Sequence, residues 1–583
     1  MTGGPPTGHS APPDGGEPIL LDSYAAKQCA VRVQNEYSPL VPKLEWVPAP
    51  DVQAFLDAGN AFEREVVAAL TALHPSAVVV DPLLGKAEAI AATLRAMDSG
   101  APLVLNGWLP DDVDGGRTGR PDVLVQVSGG YLPADVKNHK TVKPAATTTT
   151  VMSPVASPDD WREVVGWSAA VGRYRFEDGM QLAHYTRMLQ ACGHHPAPEL
   201  LRGAVLGTSR VATDGGDADW VFVWHDLQAP SVETFSRSSS TGRKRRSLLE
   251  CYDHEHSFRL KVAESARREV DPPLVSPIGQ NECDTCAYQR WCAQQMGPDE
   301  PSTAITKGRL DIREWLALRN LGVTTTEALS TLDPDDPAFL EEYLPEVGLT
   351  PKQARKKLAT AVERAEMICG GEPLKRRGDG PVAVPVADVE IDLDIENDLA
   401  NRVYMWGARV RRGADESSAR YVADFTEWAP LDAESERALA ERFVAWLREQ
   451  IAAAAAAGQT LLVFHWSHPE RFKLESILGK AAVADLTHPR TGVFVDVEKV
   501  LKAQFTAVRG TSIKKVAPLF GFSWRVDDPG GAISQVYLAT VHNCPDPAEA
   551  AAAQEWLLSY NEDDCAAMAV IRDGMRAWSA GPE

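Results

Sequence analysis

Apolar and polar positions change period repeatedly along this chain of 583 residues, and each period predicts its own element. Two short apolar runs, Val123-Leu124-Val125 and Tyr131-Leu132-Pro133-Ala134-Asp135-Val136-Lys137, flank Ser128-Gly129-Gly130 and predict a strand–turn–strand hairpin. Upstream, residues 52–73 repeat at helical spacing, with Phe62, Val66, Val67 and Leu70 on one face, and 87–97 predict another helix. Cys29 falls on a short helix after Ile19-Leu20-Leu21-Asp22-Ser23. Residues 144–158, rich in Thr, Pro, Ala and Ser, read as a loop long enough to be a lid. A helix is predicted over 181–191, strands over 201–206 and 220–224, and a charged helical region over 232–270.

Residues 305–369 read as helical and contain a repeat. Leu318-Arg319-Asn320-Leu321-Gly322-Val323-Thr324 is echoed by Leu344-Pro345-Glu346-Val347-Gly348-Leu349-Thr350. Each is a helix end, a glycine turn and a threonine able to cap the next helix. Beyond a Gly/Pro/Lys/Arg-rich linker, strands are predicted over 389–396, 403–410 and 421–425. A helix follows over 434–457, then a buried strand over 461–466 and helices over 501–507, 512–519 and 554–578. Strands followed by alternating helix and strand predict a mixed sheet covered by helices. The expected layout is a leader (1–17), an α/β domain (18–300), a helical hairpin spacer (301–370), a linker (371–385) and a second α/β domain (386–583).

Charge and cysteine usage narrow this picture. The net charge of −22 argues against a simple electrostatic nucleic-acid binder, although metal sites are themselves built from acids. Arg243-Lys244-Arg245-Arg246 and Lys375-Arg376-Arg377 are local basic clusters, read as solvated loops or as phosphate contacts. With no apolar run of about 18 residues, no transmembrane helix is expected. Residues 1–16 carry no basic start and no apolar core, so they read as a disordered leader and not as a signal peptide. Nine cysteines in such a chain fit a reducing cytoplasm. Cys192, Cys251, Cys369, Cys544 and Cys565 are scattered and read as core thiols. The phosphate-loop pattern of an ATP-driven motor does not occur.

Three constellations carry chemistry. Asp122 opens the first strand of the hairpin, and Asp135 and Lys137 share a face of the second. Carboxylates are hard ligands for Mg²⁺ or Mn²⁺, and such an ion beside a lysine can activate water against a phosphodiester. The plain alternative is a polar hairpin with a surface ion pair. Second, Cys283-x2-Cys286-x5-Cys292 with the remote Cys29 makes a set of four thiols, which hold Zn²⁺ or an iron–sulfur cluster. Spacing alone leaves both open. Third, Asp394 and Glu396 share a strand face, Glu470 starts a helix after Phe464-His465-Trp466, and Tyr560 and Asp564 lie four apart on a helix. Four separated acids can clamp two divalent ions around a phosphate. A domain that only binds nucleic acid is the plain alternative. Asp392 and Asp496 have no evident role.

The remote Cys29, Gly59-x-x-Phe62-Glu63, Gly119-x-x-Asp122, Asp135-x-Lys137, Gln181-x3-Tyr185 and the terminal cysteines resemble, in that order, a RecB-type nuclease domain. More narrowly, they resemble the iron–sulfur branch of the PD-(D/E)xK exonucleases, which includes CRISPR-adaptation exonucleases and the AddB-type repair nuclease. The resemblance covers about residues 19–295 and implies a restriction-endonuclease-like core. It implies a [4Fe–4S] cluster on Cys29, Cys283, Cys286 and Cys292, and metal ligation by Glu63, Asp122 and Asp135. Val136 would add a carbonyl, Lys137 would position the attacking water, and Gln181 and Tyr185 would organise the site. Some relatives carry His where Glu63 stands.

Residues 386–580 resemble the RNase H-like exonuclease fold of the DEDD class, with Asp394, Glu396, Glu470 and Asp564 as metal ligands and Tyr560 beside them. Glu470 stands where that class usually has Asp, and Trp466 where Asn is common. Jointly the two halves resemble a bacterial family of stand-alone RecB-like nucleases. That resemblance implies a cytoplasmic Mg²⁺- or Mn²⁺-dependent exodeoxyribonuclease favouring single-stranded DNA in repair or recombination, with a helicase or repair partner in trans. The last domain would be a second, 3′→5′ exonuclease. A non-catalytic nucleic-acid scaffold and an RNA-processing exonuclease are the alternatives.

Overall fold

The computed structural model describes residues 17–578 apart from 43, 45, 170–172, 213–216, 240, 309, 468, 528 and 529, so the predicted leader over 1–16 lies outside the described residues. The chain divides into two compact units. One gathers the residues up to Val47, Leu56–Gly297 and Glu341–Pro351; the other gathers Pro48–Phe55, Pro298–Leu340 and the residues from Lys352 onward.

In the first unit, α1 (Ala30–Tyr37), α2 (Pro50–Leu73) and α3 (Lys86–Asp98) precede most of the sheet. The strands are β1 (Val78–Val79), β2 (Leu103–Leu105), β3 (Val123–Val127), β4 (Gly130–Lys137), β5 (Val142–Pro154), β6 (Arg162–Ala169), β7 (Arg202–Ala212) and β8 (Ala218–Asp226). They form one eight-stranded mixed sheet in the order β1-β2-β3-β4-β7-β8-β5-β6. The predicted hairpin is β3–β4, with Gly129 at a φ of 90° in its turn. β4 pairs parallel with β7, and α4 (Arg173–Ala191) lies between them in sequence. β4 is buried on both faces. Leu132, Ala134 and Val136 pack against Val66 and Leu70 of α2, while Tyr131 packs with Tyr185, Met188 and Leu189 of α4.

Two expectations for this unit fail. Residues 144–158 are no lid: Thr and Val favour extended backbone, and most of the stretch belongs to β5, paired antiparallel with β6. Residues 232–270 are not helical throughout. A hairpin of β9 (Val232–Phe235) and β10 (Arg243–Arg246) precedes α5 (Leu248–Arg267), so the first basic cluster is a strand. Ser247 and Glu250 form the capping box that starts α5. Farther on, α6 (Gln289–Met296) carries Cys292, whereas Cys29 sits at the N-cap of α1 and not within it.

Helices α7 (Pro301–Ala304), α8 (Ile312–Asn320), α9 (Thr326–Ser330), α10 (Pro337–Val347) and α11 (Pro351–Cys369) fill the predicted helical run. Gly322 and Gly348 both have positive φ, as the repeat predicts, but the cap of α9 is Thr325 and not Thr324. Cys369, taken for a core thiol, is exposed.

The second unit is built on β12 (Val389–Asn397), β13 (Val403–Arg412), β14 (Asp415–Val422), β15 (Leu461–His465) and β16 (Phe494–Asp496). The sheet order is β14-β13-β12-β15-β16, antiparallel on the β13–β14 side of β12 and parallel toward β15 and β16. Helix α12 (Ala433–Ala456) covers one face, with Phe443 stacked on Trp406. The third strand lies earlier than predicted. The linker carries β11 (Leu374–Arg376), which pairs with β17 (Phe505–Ala507), so the end of the helix predicted over 501–507 is a strand. Arg376 and Arg377 of the second basic cluster are bonded to Gln504 and Thr506. Helices α13 (Pro469–Leu478), α14 (Ala484–Thr487), α15 (Val497–Gln504), α16 (Ile513–Val516), α17 (Gly531–Asn543) and α18 (Pro547–Arg576) complete the unit. Tyr560 is in the middle of α18 and not near its start. Among the described residues no helix is long and apolar enough to cross a membrane.

Candidate functional site

Strand β12 sends Ile391, Leu393 and Ile395 into the core against α12, so Glu390, Asp392, Asp394 and Glu396 share the opposite face. Helix α18 packs on β12 and meets this row of acids with two kinds of side chain. Toward Glu390 it supplies cations. The fully buried Arg572 donates to Asp392 and, at 2.9 Å, to Glu390, while Arg576 donates to Glu390 at 2.6 Å. Arg411 of β13 adds a bond to Glu390 at 2.8 Å. Asp392 is therefore one half of a structural ion pair, and Asp496 caps α15 by accepting the Lys499 N–H.

Toward Glu396 the same helix supplies an acid. Among the described residues, Asp394, Glu396 and Asp564 are the one group of potential metal ligands whose donor atoms all lie within 4.8 Å of one another. Asn561 Nδ2 donates to Asp394 at 2.8 Å, and Tyr421 fixes the amide by donating to its oxygen at 2.8 Å. Gly407, opposite Asp394 in the register, makes room for this, because a Cβ there would meet Asn561 Oδ1 at 1.6 Å. Burial, then the charges of Asp564, Glu396 and Glu470, push the Asp394 carboxyl well above its usual range. Burial and Asp564 push Glu396 up to about 8. Burial raises Asp564 despite the opposing pull of Lys514. Carboxyls that resist ionising together are a site for a cation. Tyr560 packs beside them, and burial with the Asp564 charge raises its hydroxyl. Glu470, at the start of α13, is buried and faces His465 Nδ1 at 3.2 Å. Its charge reaches Asp394, but it stands outside the trio. Sequence reasoning missed Asn561, Lys514, Trp524 and His465. Only Asn561 had a signal, its place beside Tyr560.

In the first unit Asp122, Asp135 and Lys137 converge. Lys137 pairs with Asp135, and Asp122 Oδ2 accepts the Val136 N–H at 2.7 Å. Burial and the Asp135 charge raise Asp122 well above its usual range. Burial would raise Asp135 as well, but Lys137, a hydrogen bond with Asp122 and Lys27 together outweigh it and hold that carboxyl low. Burial works against the Lys137 ammonium, yet Asp135, Tyr24 and Asp122 together outweigh burial and its pKa is raised. Glu63 on α2 is near enough for its charge to act on Asp122, but Glu63, Asp122 and Asp135 do not form a trio as tight as the other. Tyr185 OH donates to the Arg120 carbonyl at 3.0 Å, which braces the turn into Asp122, and Gln181 donates to Tyr185 at 3.2 Å. Gly119 makes space for the Tyr185 ring, which a Cβ would meet at 2.8 Å. Lys27, unmarked in the sequence, donates to Gln181 at 3.0 Å.

Cys29, Cys283, Cys286 and Cys292 line one small cavity with Pro277, Ile278 and Tyr288. Asn35 donates to Cys292 Sγ at 3.5 Å, and Gln280 donates through its side chain to Cys29 and through its backbone to Cys283, both at 3.4 Å. Burial and then Glu282 push the Cys29 thiol up to about 11.

Residues 392–576 match the family model of the RNase_H superfamily. The match covers β12 from Asp392 onward with Asp394 and Glu396, Glu470 and the whole of α18, and the unit carries an RNase H-like domain, a fold consistent with nuclease-type hydrolysis. RNase H-like nucleases typically use Mg²⁺ or Mn²⁺. No curated protein and no solved structure matches the chain.

Proposed function

We propose that the chain is a nuclease with two metal-dependent centres and one thiolate-held cluster. The observation that carries this is the Asp394–Glu396–Asp564 trio, three crowded carboxylates, Glu396 and Asp564 buried and Asp394 half-buried, inside an RNase H-like domain. These three would hold the ion. A divalent ion there supplies positive charge to the phosphodiester and activates water for attack. The chain's own part is to hold Asp394 through Asn561, to border the site with Tyr560 and the Glu470–His465 pair, and to keep bulk water out by burial.

The first unit supports a PD-(D/E)xK reading with RecB-like features. Asp122 and Asp135 would hold the ion with Glu63 nearby, Lys137 would orient the water, and Gln181 and Tyr185 would brace the Asp122 turn. The four thiols, which line one small cavity, would hold a [4Fe–4S] cluster, with Zn²⁺ as the competing occupant. N–H groups aimed at the sulfurs suit cluster thiolates as well. The cluster would tie Cys29 to the 283–292 segment. Single-stranded DNA, in a repair or recombination setting with a helicase in trans, is the favoured substrate and context. RNA is the second reading for the RNase H-like centre.

The test is degradation of 5′- and 3′-labelled single-stranded DNA and RNA in Mn²⁺ by Lys137→Ala, Asp394→Ala and the double variant. Each single variant should lose one set of products and the double variant both; a double variant that cuts like wild type overturns the proposal. Protein purified without oxygen should be brown and contain iron. Colourless, zinc-loaded protein would remove the cluster.

A further inference from the structure

Lys514, on α16, stands at the Asp394–Glu396–Asp564 trio. Its ammonium pairs with Asp564 and lies between two rings, 4.2 Å from the Tyr560 centroid and 4.4 Å from that of Trp524. Trp524 Nε1 donates to the same Asp564 Oδ1 at 2.7 Å. Asp564 Oδ1 is thus engaged twice and Tyr560 bonds the same carboxylate, so Asp394 and Glu396 are the members of the trio least engaged by cations. The rings pin and partly desolvate the ammonium, and its charge acts on Asp394 and Glu396 too. The side chain keeps 24% of its surface exposed, so it remains open to an incoming phosphate.

Charge points the same way. Lys514 answers Asp564, Glu470 faces His465 at 3.2 Å, and the two carboxylates left, Asp394 and Glu396, carry the two negative charges that a single divalent ion neutralises. A second divalent ion would leave uncompensated positive charge in a buried site.

We propose that Lys514 takes the place of a second metal ion: this centre binds one Mg²⁺ or Mn²⁺, and the Lys514 ammonium supplies the other positive charge to the scissile phosphate. The proposal rests on reading the trio as a nuclease centre. In the reaction the oxygen of water bonds to phosphorus and the bond from phosphorus to the bridging sugar oxygen breaks. One water proton leaves to solvent, the departing oxygen ends protonated, and the non-bridging oxygens carry their added charge against the ammonium.

The test uses the full chain in a Lys137→Ala background, with bound Mn²⁺ counted by electron paramagnetic resonance and 3′-end cleavage measured alongside. Lys514→Met keeps the length and the contact with both rings. It should bind one more Mn²⁺ than its parent, unfold at the same temperature, and cut about 100-fold more slowly. Lys514→Arg should keep the parental Mn²⁺ count and most of the cleavage. A Lys514→Met protein with the parental Mn²⁺ count overturns the proposal. An extra Mn²⁺ with undiminished cleavage overturns the part given to the ammonium in the reaction. If the parent cuts nothing, the nuclease reading of this centre fails, and the Mn²⁺ count alone then decides whether Lys514 holds a cation's place.

Discussion

The face that β12 turns toward α18 carries four acids, and its two ends are completed in opposite ways. Glu390 and Asp392 meet Arg572, Arg576 and Arg411, so their charges are answered inside the protein. Asp394 and Glu396 meet Asp564 from the same helix and remain underneutralised: Asn561 and Ser534 bring neutral hydrogen bonds, and the nearest cation is the Lys514 on Asp564. The lesson is that acidity does not mark a metal site. What marks it is acid that the fold buries and leaves short of cations. The arginine end supports the other end by holding α18 on the strand, about two to three turns of helix from the trio.

This contrast can be broken experimentally, beginning with the largest effect. Asp394→Asn should lower cleavage by the RNase H-like centre by on the order of 10³-fold. It should also raise the thermal stability of the metal-free protein, because one of three crowded acids is gone. A variant that unfolds earlier and still cuts would put Asp394 in the structural class with Asp392. Arg572→Met should do the reverse and destabilise the unit by about 3–5 kcal/mol in denaturant titration, since it strands the buried Asp392 and takes one of three arginines from Glu390. Unchanged stability would show that the arginine end is not what holds the helix.

A smaller effect lies in pH. Below pH 4.5, the ordinary value for this side chain, Glu396 is protonated both folded and unfolded; between there and about 8 only the folded state keeps its proton. The folded state then binds more protons than the unfolded one, so the stability of metal-free protein should fall as pH rises through that window and level off above it. Saturating Mg²⁺ should abolish the slope. A flat metal-free profile would show that the trio is not crowded.

Much of this was legible along the chain. The period-two runs around Ser128-Gly129-Gly130 placed β3 and β4, and strict alternation placed β12 with its acids on one face. Spacing placed Gln181 with Tyr185 and Tyr560 with Asp564 on their helices. Illegible were elements whose partners are remote. The Thr-rich stretch of β5 looked like a loop because its pairing with β6 and β8 is a tertiary fact. β17 looked helical because its partner β11 lies more than a hundred residues away in a stretch that reads as linker. Lys514 and Lys27 had no signal, since a lysine on a four-residue helix or a turn has no period.

By itself, then, the sequence determined the alternation that turns Glu390, Asp392, Asp394 and Glu396 to one side, because side-chain direction along a strand is local geometry. It could not rank them, since four alternating acids are equivalent to any local rule. Only the tertiary structure separated them, by laying α18 across the row with Arg572 at one end and Asp564 at the other. Whether a buried carboxylate is a structural ion pair or a ligand waiting for a cation depends on the charge brought to it from elsewhere in the chain.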